Sequence, residues 1–334
     1  MHLFCPKDIF GGNNMTRIIV LEETSLGKKV LEHYKEDDII PYVFSRFSDG
    51  EMCIELGRPV RGDDVIIVAS LCEPVNDNLV KVIICADALK RASAKSITLV
   101  APYLGYSRQD RRAKSWQPIT ARLIADVLQI SGINRITTCD LHANQIEGFY
   151  SIPIDNIPIL MILGNRWKKQ IPANVDLNSL VVVSPDSGGV TRARLFMNEA
   201  KIPNLAVIVK YRDRPNEVAS MQVIGNIKDK TALIIDDMVD TGGTLMKAAK
   251  ELVNLGAKAV YVYCTHGVLS KDAIERLSAC EDIKKLVVTN TIDKSDKLIN
   301  DKIEYVDISD IIIGIIETFR NGSYISTLLS DLLK

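Results

Sequence analysis

The segment from Ile234 to Thr244 (IIDDMVDTGGT) contains residue types that can hold a sugar phosphate. An apolar run ends there in two carboxylates, and a turn with two glycines and two threonines follows. Glycines let backbone N–H groups turn inward around an anion, and a helix that begins after them adds positive potential. Threonine hydroxyls can donate to phosphate oxygens, whereas carboxylates accept hydrogen bonds from sugar hydroxyls. The candidate residues are Asp236, Asp237, Asp240, Thr241, Gly242, Gly243 and Thr244. We expect the turn to bind a 5-phosphate and the acids to bind a ribose; the alternative is a helix cap with Thr241 as its N-cap residue.

A second group of candidates is cationic. Lys210, Arg212 and Arg214 follow an apolar run in the segment KYRDRPN. Three cations within five residues fit a loop that closes on a triphosphate. The alternative is a solvated basic loop without a ligand.

Two more polar segments follow predicted strands. His142 stands in Asp140-Leu141-His142, and Asp186 stands in the turn SPDSGG. Open α/β sheets bind ligands at the carboxyl ends of their strands. Because Mg²⁺ prefers oxygen ligands, Asp186 is the more natural candidate for a metal, and His142 by its type alone is a phosphate donor or a structural histidine. A helix cap is the alternative for SPDSGG.

These candidates require a framework of parallel strands. Apolar runs without alternation predict strands buried on both faces, and helical patterns lie between them. The predicted strands are Arg17–Leu21, Val65–Ala69, Ser96–Ala101, Arg135–Cys139, Leu180–Ser184, Ala206–Val209, Ala232–Asp236, Ala259–Thr265 and Leu286–Thr289. Tyr42–Phe47 and Glu51–Leu56 flank Ser48-Asp49-Gly50 and predict an antiparallel hairpin. The fold class is therefore α/β, with sheets flanked by helices.

The sequence also contains an internal repeat. A strand, a helix and a second strand around Lys95 match the same succession around Lys258. With 334 residues, this repeat predicts two similar domains, which we place at residues 15–160 and 161–334.

Composition excludes several classes of protein. The 41 basic and 42 acidic side chains give a net charge of −1, which argues against nucleic acid or an anionic membrane as a partner. The sequence contains no stretch of about 18 apolar residues, so no membrane span is predicted. Seven scattered cysteines without a CxxC pair indicate reduced thiols in a cytoplasmic protein.

The succession of motifs resembles that of the ribose-phosphate pyrophosphokinase family. The segment from Asp236 to Thr244, which we call the acid–glycine turn, by itself resembles the phosphoribosyl-pyrophosphate loop of type I phosphoribosyltransferases. The narrower resemblance rests on CEPVNDNLVKVIICADALKRASAKSITLVAPYLGYSRQDRR, CDLHANQIEGFYSIPIDN, VVVSPDSGGVTRAR and THGVLS, and it extends from about residue 44 to residue 310. It implies two tandem phosphoribosyltransferase-like domains. It also implies that the chain makes 5-phosphoribosyl 1-pyrophosphate from ATP and ribose 5-phosphate and releases AMP.

The resemblance assigns roles that residue types alone leave open. It implies ATP binding by Asp49, Gly50, Glu51, Arg108 and Gln109, Mg²⁺ binding by His142 and Asp186, and catalysis by Lys210 and Arg212, with Arg212 also at the ribose 5-phosphate site. Tyr211 departs from the family, which commonly has a basic residue there. Without the resemblance, Asp49-Gly50 is an ordinary turn pair. In the family this hairpin reaches a neighbouring subunit, so we expect a homo-oligomer of at least two subunits, with a hexamer among the open alternatives.

Two other functions remain as alternatives. A phosphoribosyltransferase would use the same acid–glycine turn, but the tandem domains and the RQD segment speak against it. A catalytically silent regulatory paralogue would be expected to have lost Lys210, Arg212, His142 or Asp186, and all four are present.

Overall fold

The computed structural model describes residues 15–211, 220–294 and 301–334. The chain divides into two compact units that are not continuous in sequence. One unit contains the chain up to Thr138 together with Ala143–Asp155 and Ile316–Gly322. The other contains Cys139–His142, Asn156–Ile315 and Ser323–Lys334. The single boundary at residues 160 and 161 stays a prediction.

The N-terminal half forms a five-stranded sheet and a separate hairpin. Its elements are β1 (Thr16–Val20), α1 (Ser25–His33), β2 (Tyr42–Arg46), β3 (Met52–Leu56), β4 (Asp64–Val68), α2 (Val75–Arg91), β5 (Ser96–Ala101), α3 (Thr120–Ile130), β6 (Arg135–Cys139) and β7 (Ile154–Ile157). The strand order is β1-β4-β5-β6-β7, and the pairs from β1 to β6 are parallel. β2 and β3 pair antiparallel, as the hairpin prediction requires.

The C-terminal half forms a seven-stranded sheet. Its elements are α4 (Ile159–Gln170), β8 (Leu180–Ser184), α5 (Val190–Ala200), β9 (Leu205–Tyr211), β10 (Ser220–Ile224), β11 (Thr231–Val239), α6 (Gly243–Asn254), β12 (Ala259–Gly267), α7 (Ala273–Ala279), β13 (Lys285–Thr289), β14 (Ile303–Val306), α8 (Ser309–Arg320) and α9 (Ile325–Leu332). The strand order is β10-β9-β8-β11-β12-β13-β14. All neighbours are parallel except β10, which runs antiparallel to β9.

Burial explains why these residues form these elements. All five residues of β8 are buried, as expected for a parallel strand covered on both faces. In α6 the buried residues Leu245, Ala248, Ala249 and Leu252 recur at helical spacing, so one stripe of the helix packs on the sheet. The acid–glycine turn is thereby held between a buried strand and a helix with a fixed packing face.

The predicted repeat is visible in hydrogen bonds at the start of two strands. Lys95 N donates to Asp63 O at 2.8 Å, and Lys258 N donates to Lys230 O at 2.8 Å. Two residues earlier, Ser93 and Gly256 both have a positive φ, of 66° and 89°. The same turn therefore joins helix to strand in both copies of the pattern.

The described residues add two features that bear on the protein class. Six described cysteines are free, and Cys85, Cys139 and Cys264 among them are buried. Within the described ranges, no helix combines the length and the apolar character that crossing a membrane requires.

Candidate active site

The turn between β11 and α6 has the geometry of an anion site. Gly242 has φ = +72° and is the N-cap residue of α6, with no side-chain cap hydrogen bond. The alternative, a helix cap with Thr241 as its N-cap residue, is therefore wrong. The first turn of the helix carries no acidic residue, and the side chains of Thr241 and Thr244 are exposed. The helix N-terminus thus offers its positive end and two hydroxyls to a ligand.

The two acids at the end of β11 have different surroundings. Successive residues of a strand point to opposite faces, and only 3% of the Asp237 side chain is exposed, against 19% for Asp236. The Asp237 carboxylate lies between two partners, the Arg192 guanidinium and the His142 ring. Asp236 Oδ1 lies 3.1 Å from Arg192 Nη1 and also accepts the backbone N–H of Asp237 at 2.9 Å. In this state Asp236 is the more accessible of the two predicted ribose ligands.

Burial and charge separate the pKa values of the pair. Burial raises the pKa of Asp236 well above its ordinary value, and the neighbouring charge of Asp237 raises it further. For Asp237, burial also opposes ionisation, but the hydrogen bond from His142 and the charge of Arg192 outweigh it and lower the pKa to about 2. Asp237 is therefore ionised at neutral pH.

His142 follows β6 and is fixed through one ring nitrogen. Its Nδ1 lies 2.8 Å from Asp237 Oδ2. Because Asp237 is ionised and can only accept, the protonated Nδ1 donates this hydrogen bond to the carboxylate. Nε2 is then the ring nitrogen that can take a ligand, which is the usual arrangement of a metal-binding histidine.

Asp186 lies in the turn between β8 and α5. Its Oδ1 accepts the backbone N–H of Gly189 at 2.9 Å, so the capping alternative has support at this residue. Among the described residues, no three His, Cys, Asp or Glu side chains cluster as a metal site. His142 and Asp186 alone would leave most positions of an octahedral Mg²⁺ to water or to substrate oxygens, as is common in phosphate-transferring sites.

Sequence reasoning missed Arg192, which stands in the quoted segment VTRAR. Its Nη1 contacts both acids of β11, and its Nη2 donates to the main-chain oxygen of His142 at 2.8 Å. Burial disfavours its charge, but Asp237 and Asp236 more than compensate and raise its pKa. The available signal was a cation in the first turn of a helix, where the dipole disfavours it.

A second group of polar contacts surrounds Cys139 and Asp140, just before His142. The Nδ1 atom of His266 lies 2.9 Å from Thr291 Oγ1, and its Nε2 atom lies 3.1 Å from the backbone oxygen of Cys139. Burial lowers the pKa of His266 to about 4, so its ring is neutral at pH 7. Asp140 is partly buried and receives hydrogen bonds from the Thr265 hydroxyl and Leu160 N, and desolvation of its carboxyl group raises its pKa to about 6. These contacts give His266 a structural role.

The cationic loop is described only at its start. Lys210 lies in β9, where its backbone pairs with Met221 of β10. Arg212 and Arg214 lie outside the described residues. Their predicted roles stay predictions.

The candidate ATP residues lie in the other unit. At the hairpin tip, Gly50 has φ = +94°, and Asp49 Oδ1 accepts the N–H of Glu51 at 3.1 Å, as in an ordinary Asx turn. Arg46, at the end of β2, contacts Gly50 O at 3.3 Å and Asp77 of α2 at 2.7 Å. The tip is thereby tied to the first turn of α2.

Arg108 and Gln109 begin the segment before α3. The side chain of Arg108 is exposed. Gln109 accepts the hydroxyl of Thr120 through its side chain and the N–H of Ala121 through its backbone at 3.2 Å. Gln109 therefore positions the start of α3.

Comparisons with known proteins agree along the chain. The model for the N-terminal domain of ribose phosphate pyrophosphokinase matches residues 17–132, and that for the phosphoribosyl synthetase-associated domain matches residues 177–330. Ribose-phosphate pyrophosphokinase of Oceanobacillus iheyensis is 48% identical over 268 residues, covering 80% of this chain and 82% of the relative. That of Bacillus subtilis is 50% identical over 248 residues, covering 74% and 76%.

A solved structure extends the comparison to the fold. Phosphoribosylpyrophosphate synthetase from Mycobacterium smegmatis superposes with a TM-score of 0.81 at 33% identity. The match covers 93% of this chain and 100% of that one. The predicted fold class, an α/β chain of two tandem phosphoribosyltransferase-like domains, is confirmed.

Proposed function

The chain belongs to the ribose-phosphate pyrophosphokinase family, and from this premise we propose how its own residues carry out the reaction. It is an enzyme that makes 5-phosphoribosyl 1-pyrophosphate, a precursor for nucleotide biosynthesis, from ribose 5-phosphate. The donor that we propose is ATP, with Mg²⁺ as the cofactor.

The reaction moves a diphosphate group in one step. The C1 hydroxyl oxygen of ribose 5-phosphate bonds to the β-phosphorus of ATP. The bond from that phosphorus to the oxygen bridging to the α-phosphorus breaks, AMP leaves with that oxygen, and the hydroxyl proton passes to solvent. Such transfers need alignment and positive charge more than covalent help from the protein.

One observation carries the sugar-phosphate assignment. Asp236 lies in the C-terminal half of β11, four residues before a turn that contains Gly242 at φ = +72° and leads directly into α6. Backbone N–H groups of this turn and the hydroxyls of Thr241 and Thr244 bind the 5-phosphate. Asp236 accepts the ribose hydroxyls, and Asp237 and Asp240 line the same segment. In this proposal the acids bind the hydroxyls of the pentose, and the N-terminus of α6 binds its phosphate.

Mg²⁺ is the proposed cofactor at His142 and Asp186. The Asp237 bond to Nδ1 leaves His142 Nε2 for a ligand, and Asp186 provides a carboxylate oxygen. When bound, the ion neutralises charge on the transferring phosphates. Since fewer than three protein ligands cluster in the described part of the chain, ATP oxygens and water would complete the coordination.

The remaining roles follow the family. Lys210 and Arg212 stabilise the diphosphate in transit, and Arg212 also contacts ribose 5-phosphate. Arg108 and Gln109 bind ATP together with Asp49, Gly50 and Glu51 of a hairpin that we assign to the site of a neighbouring subunit. This last role requires a homo-oligomer of at least two subunits. The free cysteines of the described chain favour a reducing compartment, and we place the enzyme in the cytoplasm.

An AMP-release assay tests the proposal. Purified protein is incubated with ATP, with or without ribose 5-phosphate and with or without Mg²⁺. We expect AMP only when all three are present, in equal amount to phosphoribosyl pyrophosphate. Release of ADP, or AMP formation that ignores ribose 5-phosphate, would contradict the proposed donor chemistry.

A further inference from the structure

Arg192 links three groups that the proposed reaction uses separately. Its Nη1 contacts the carboxylates of Asp236 and Asp237, and its Nη2 donates to the main-chain oxygen of His142 at 2.8 Å. Asp237 also contacts His142 directly, because its other carboxylate oxygen accepts a hydrogen bond from the His142 ring at 2.8 Å. The end of β11, the chain after β6 and the start of α5 are thereby joined through one guanidinium.

The location of Arg192 is unfavourable without these partners. It is the third residue of α5, where the positive end of the helix dipole repels a cation. Only 18% of its side chain is exposed, so water screens the charge poorly. The two carboxylates supply the compensation, and in return the cation reduces the repulsion between adjacent acids. The Arg192 guanidinium and the carboxylates of Asp236 and Asp237 therefore stabilise one another.

The shape of the guanidinium matters as well as its charge. Nη1 and Nη2 are held in one plane at a fixed angle, so the bond to His142 O and the bonds to the carboxylates cannot rotate independently. A lysine ammonium carries the same charge but cannot make this fixed fork. The position of the Asp236 carboxylate is therefore set relative to the His142 main chain.

We propose that Arg192 is a positioning residue for ribose 5-phosphate, which holds the Asp236 carboxylate in the orientation that accepts the sugar hydroxyls. It acts through Asp236 and Asp237 and need not touch the sugar. This inference rests on the proposed function of the β11–α6 turn. It concerns ribose 5-phosphate specifically and not ATP.

The test compares Arg192→Gln, Arg192→Lys and a matched control. The control is Arg194→Gln, in the same helix two residues further on, where the side chain is exposed. Steady-state assays give kcat and the KM values for both substrates, and thermal unfolding is recorded for each variant. We expect Arg192→Gln to raise KM for ribose 5-phosphate by about tenfold or more, with KM for ATP within about twofold of the wild type. Arg192→Lys should recover part of the loss, and Arg194→Gln should behave as wild type.

The outcomes separate this inference from the proposed function. An unchanged KM for ribose 5-phosphate in Arg192→Gln, or equal increases for both substrates, would show that Arg192 is merely structural. If Arg192→Gln does not fold, Arg192→Lys decides: a selective rise in KM for ribose 5-phosphate supports positioning, and a wild-type KM overturns it. Wild-type protein that releases no AMP with ribose 5-phosphate would refute the proposed function itself.

Discussion

The ring nitrogen Nδ1 of His142 lies 2.8 Å from the carboxylate oxygen Oδ2 of Asp237, although the two residues are 95 positions apart in the sequence. The contact fixes the tautomer of the histidine and directs Nε2 away from the acid. Because Asp237 is engaged by His142 and Arg192, its carboxylate is less available than that of Asp236 to bind a sugar hydroxyl. The acidic pair at the end of β11 therefore divides its work, with Asp236 left to the sugar.

This division predicts different effects for the two acids. Asp237→Asn should raise the Mg²⁺ concentration needed for half-maximal activity by about tenfold or more, because supporting partners of metal-bound histidines commonly have effects of that size. Asp236→Asn should chiefly raise KM for ribose 5-phosphate. Mg²⁺ titrations at saturating substrates measure the first effect, and KM values measure the second.

A matched control is Asp229→Asn, since Asp229 is exposed and its φ of +61° is one that asparagine tolerates. It should follow the wild type in both measurements. Indistinguishable Mg²⁺ curves for Asp237→Asn and the wild type would refute the role given to the His142–Asp237 pair.

The two glycines of the turn should respond differently to a methyl group. A Cβ at Gly242 would lie 2.9 Å from Leu277 on a backbone with positive φ, so Gly242→Ala should lower the free energy of unfolding by about 1–2 kcal/mol. A Cβ at Gly243 would meet no atom closer than 3.9 Å, so Gly243→Ala should keep the stability but raise KM for ribose 5-phosphate. Denaturant unfolding and kinetics on the two variants test this. Equal effects of both substitutions on stability would contradict the geometry of the turn.

Lys210 should matter for turnover and not for sugar binding. If it stabilises charge that develops only in the transition state, Lys210→Ala should lower kcat by orders of magnitude while ribose 5-phosphate still binds. Calorimetry measures binding, and AMP release measures turnover. Lys250→Ala, an exposed lysine in α6, is the control. Turnover close to wild type in Lys210→Ala would exclude the catalytic role of the loop.

The buried histidine predicts a dependence of stability on pH. Burial lowers the pKa of His266 to about 4 from 6.5, so the unfolded chain binds the proton more readily. Its contribution to stability is complete above pH 6.5 and falls by about 3 kcal/mol as the pH drops towards 4. Asp140 opposes this, because its raised pKa of about 6 lets the folded state take up a proton over part of the same range.

A comparison of variants isolates the histidine. His266→Gln keeps Asp140 but lacks the titrating ring, so its stability deficit relative to the wild type should shrink between pH 6.5 and pH 4. His33→Gln, at an exposed position, should show no such convergence. A deficit that stays constant with pH would mean that His266 is not held neutral by burial.

The buried parallel strands were predictable because their apolar runs carry the information locally. Ser96–Ala101, Arg135–Cys139 and Leu180–Ser184 have the same bounds in the sequence analysis and in the structure. β10 and β14 lie at the two edges of the second sheet, where one side is unpaired and apolar runs are short. Their sequences, SMQVI and IEYV, gave no comparable signal.

The sequence identified candidate residues for the site, whose roles stay predictions, but not the contacts between them. Residue types around Asp236 and Gly242 indicated a sugar phosphate, and the resemblance supplied the roles of His142 and Asp186. The partnership of Arg192 with residues 44 and 45 positions away depends on how the strands are ordered in the sheet, which no local pattern encodes. The alternative in which Thr241 caps α6 fails for a related reason, because Gly242 at positive φ takes the N-cap position and no side chain caps the helix.

The central claim is that a diphosphate group passes intact from ATP to the C1 oxygen of ribose 5-phosphate. Parallel reactions with ATP labelled in its α-phosphate or in its γ-phosphate test this claim directly. The account predicts that the α label is recovered in AMP and that the γ label is recovered in phosphoribosyl pyrophosphate, in equal amounts. Recovery of the α label in ADP, or of the γ label in inorganic phosphate while the sugar stays unlabelled, would contradict it.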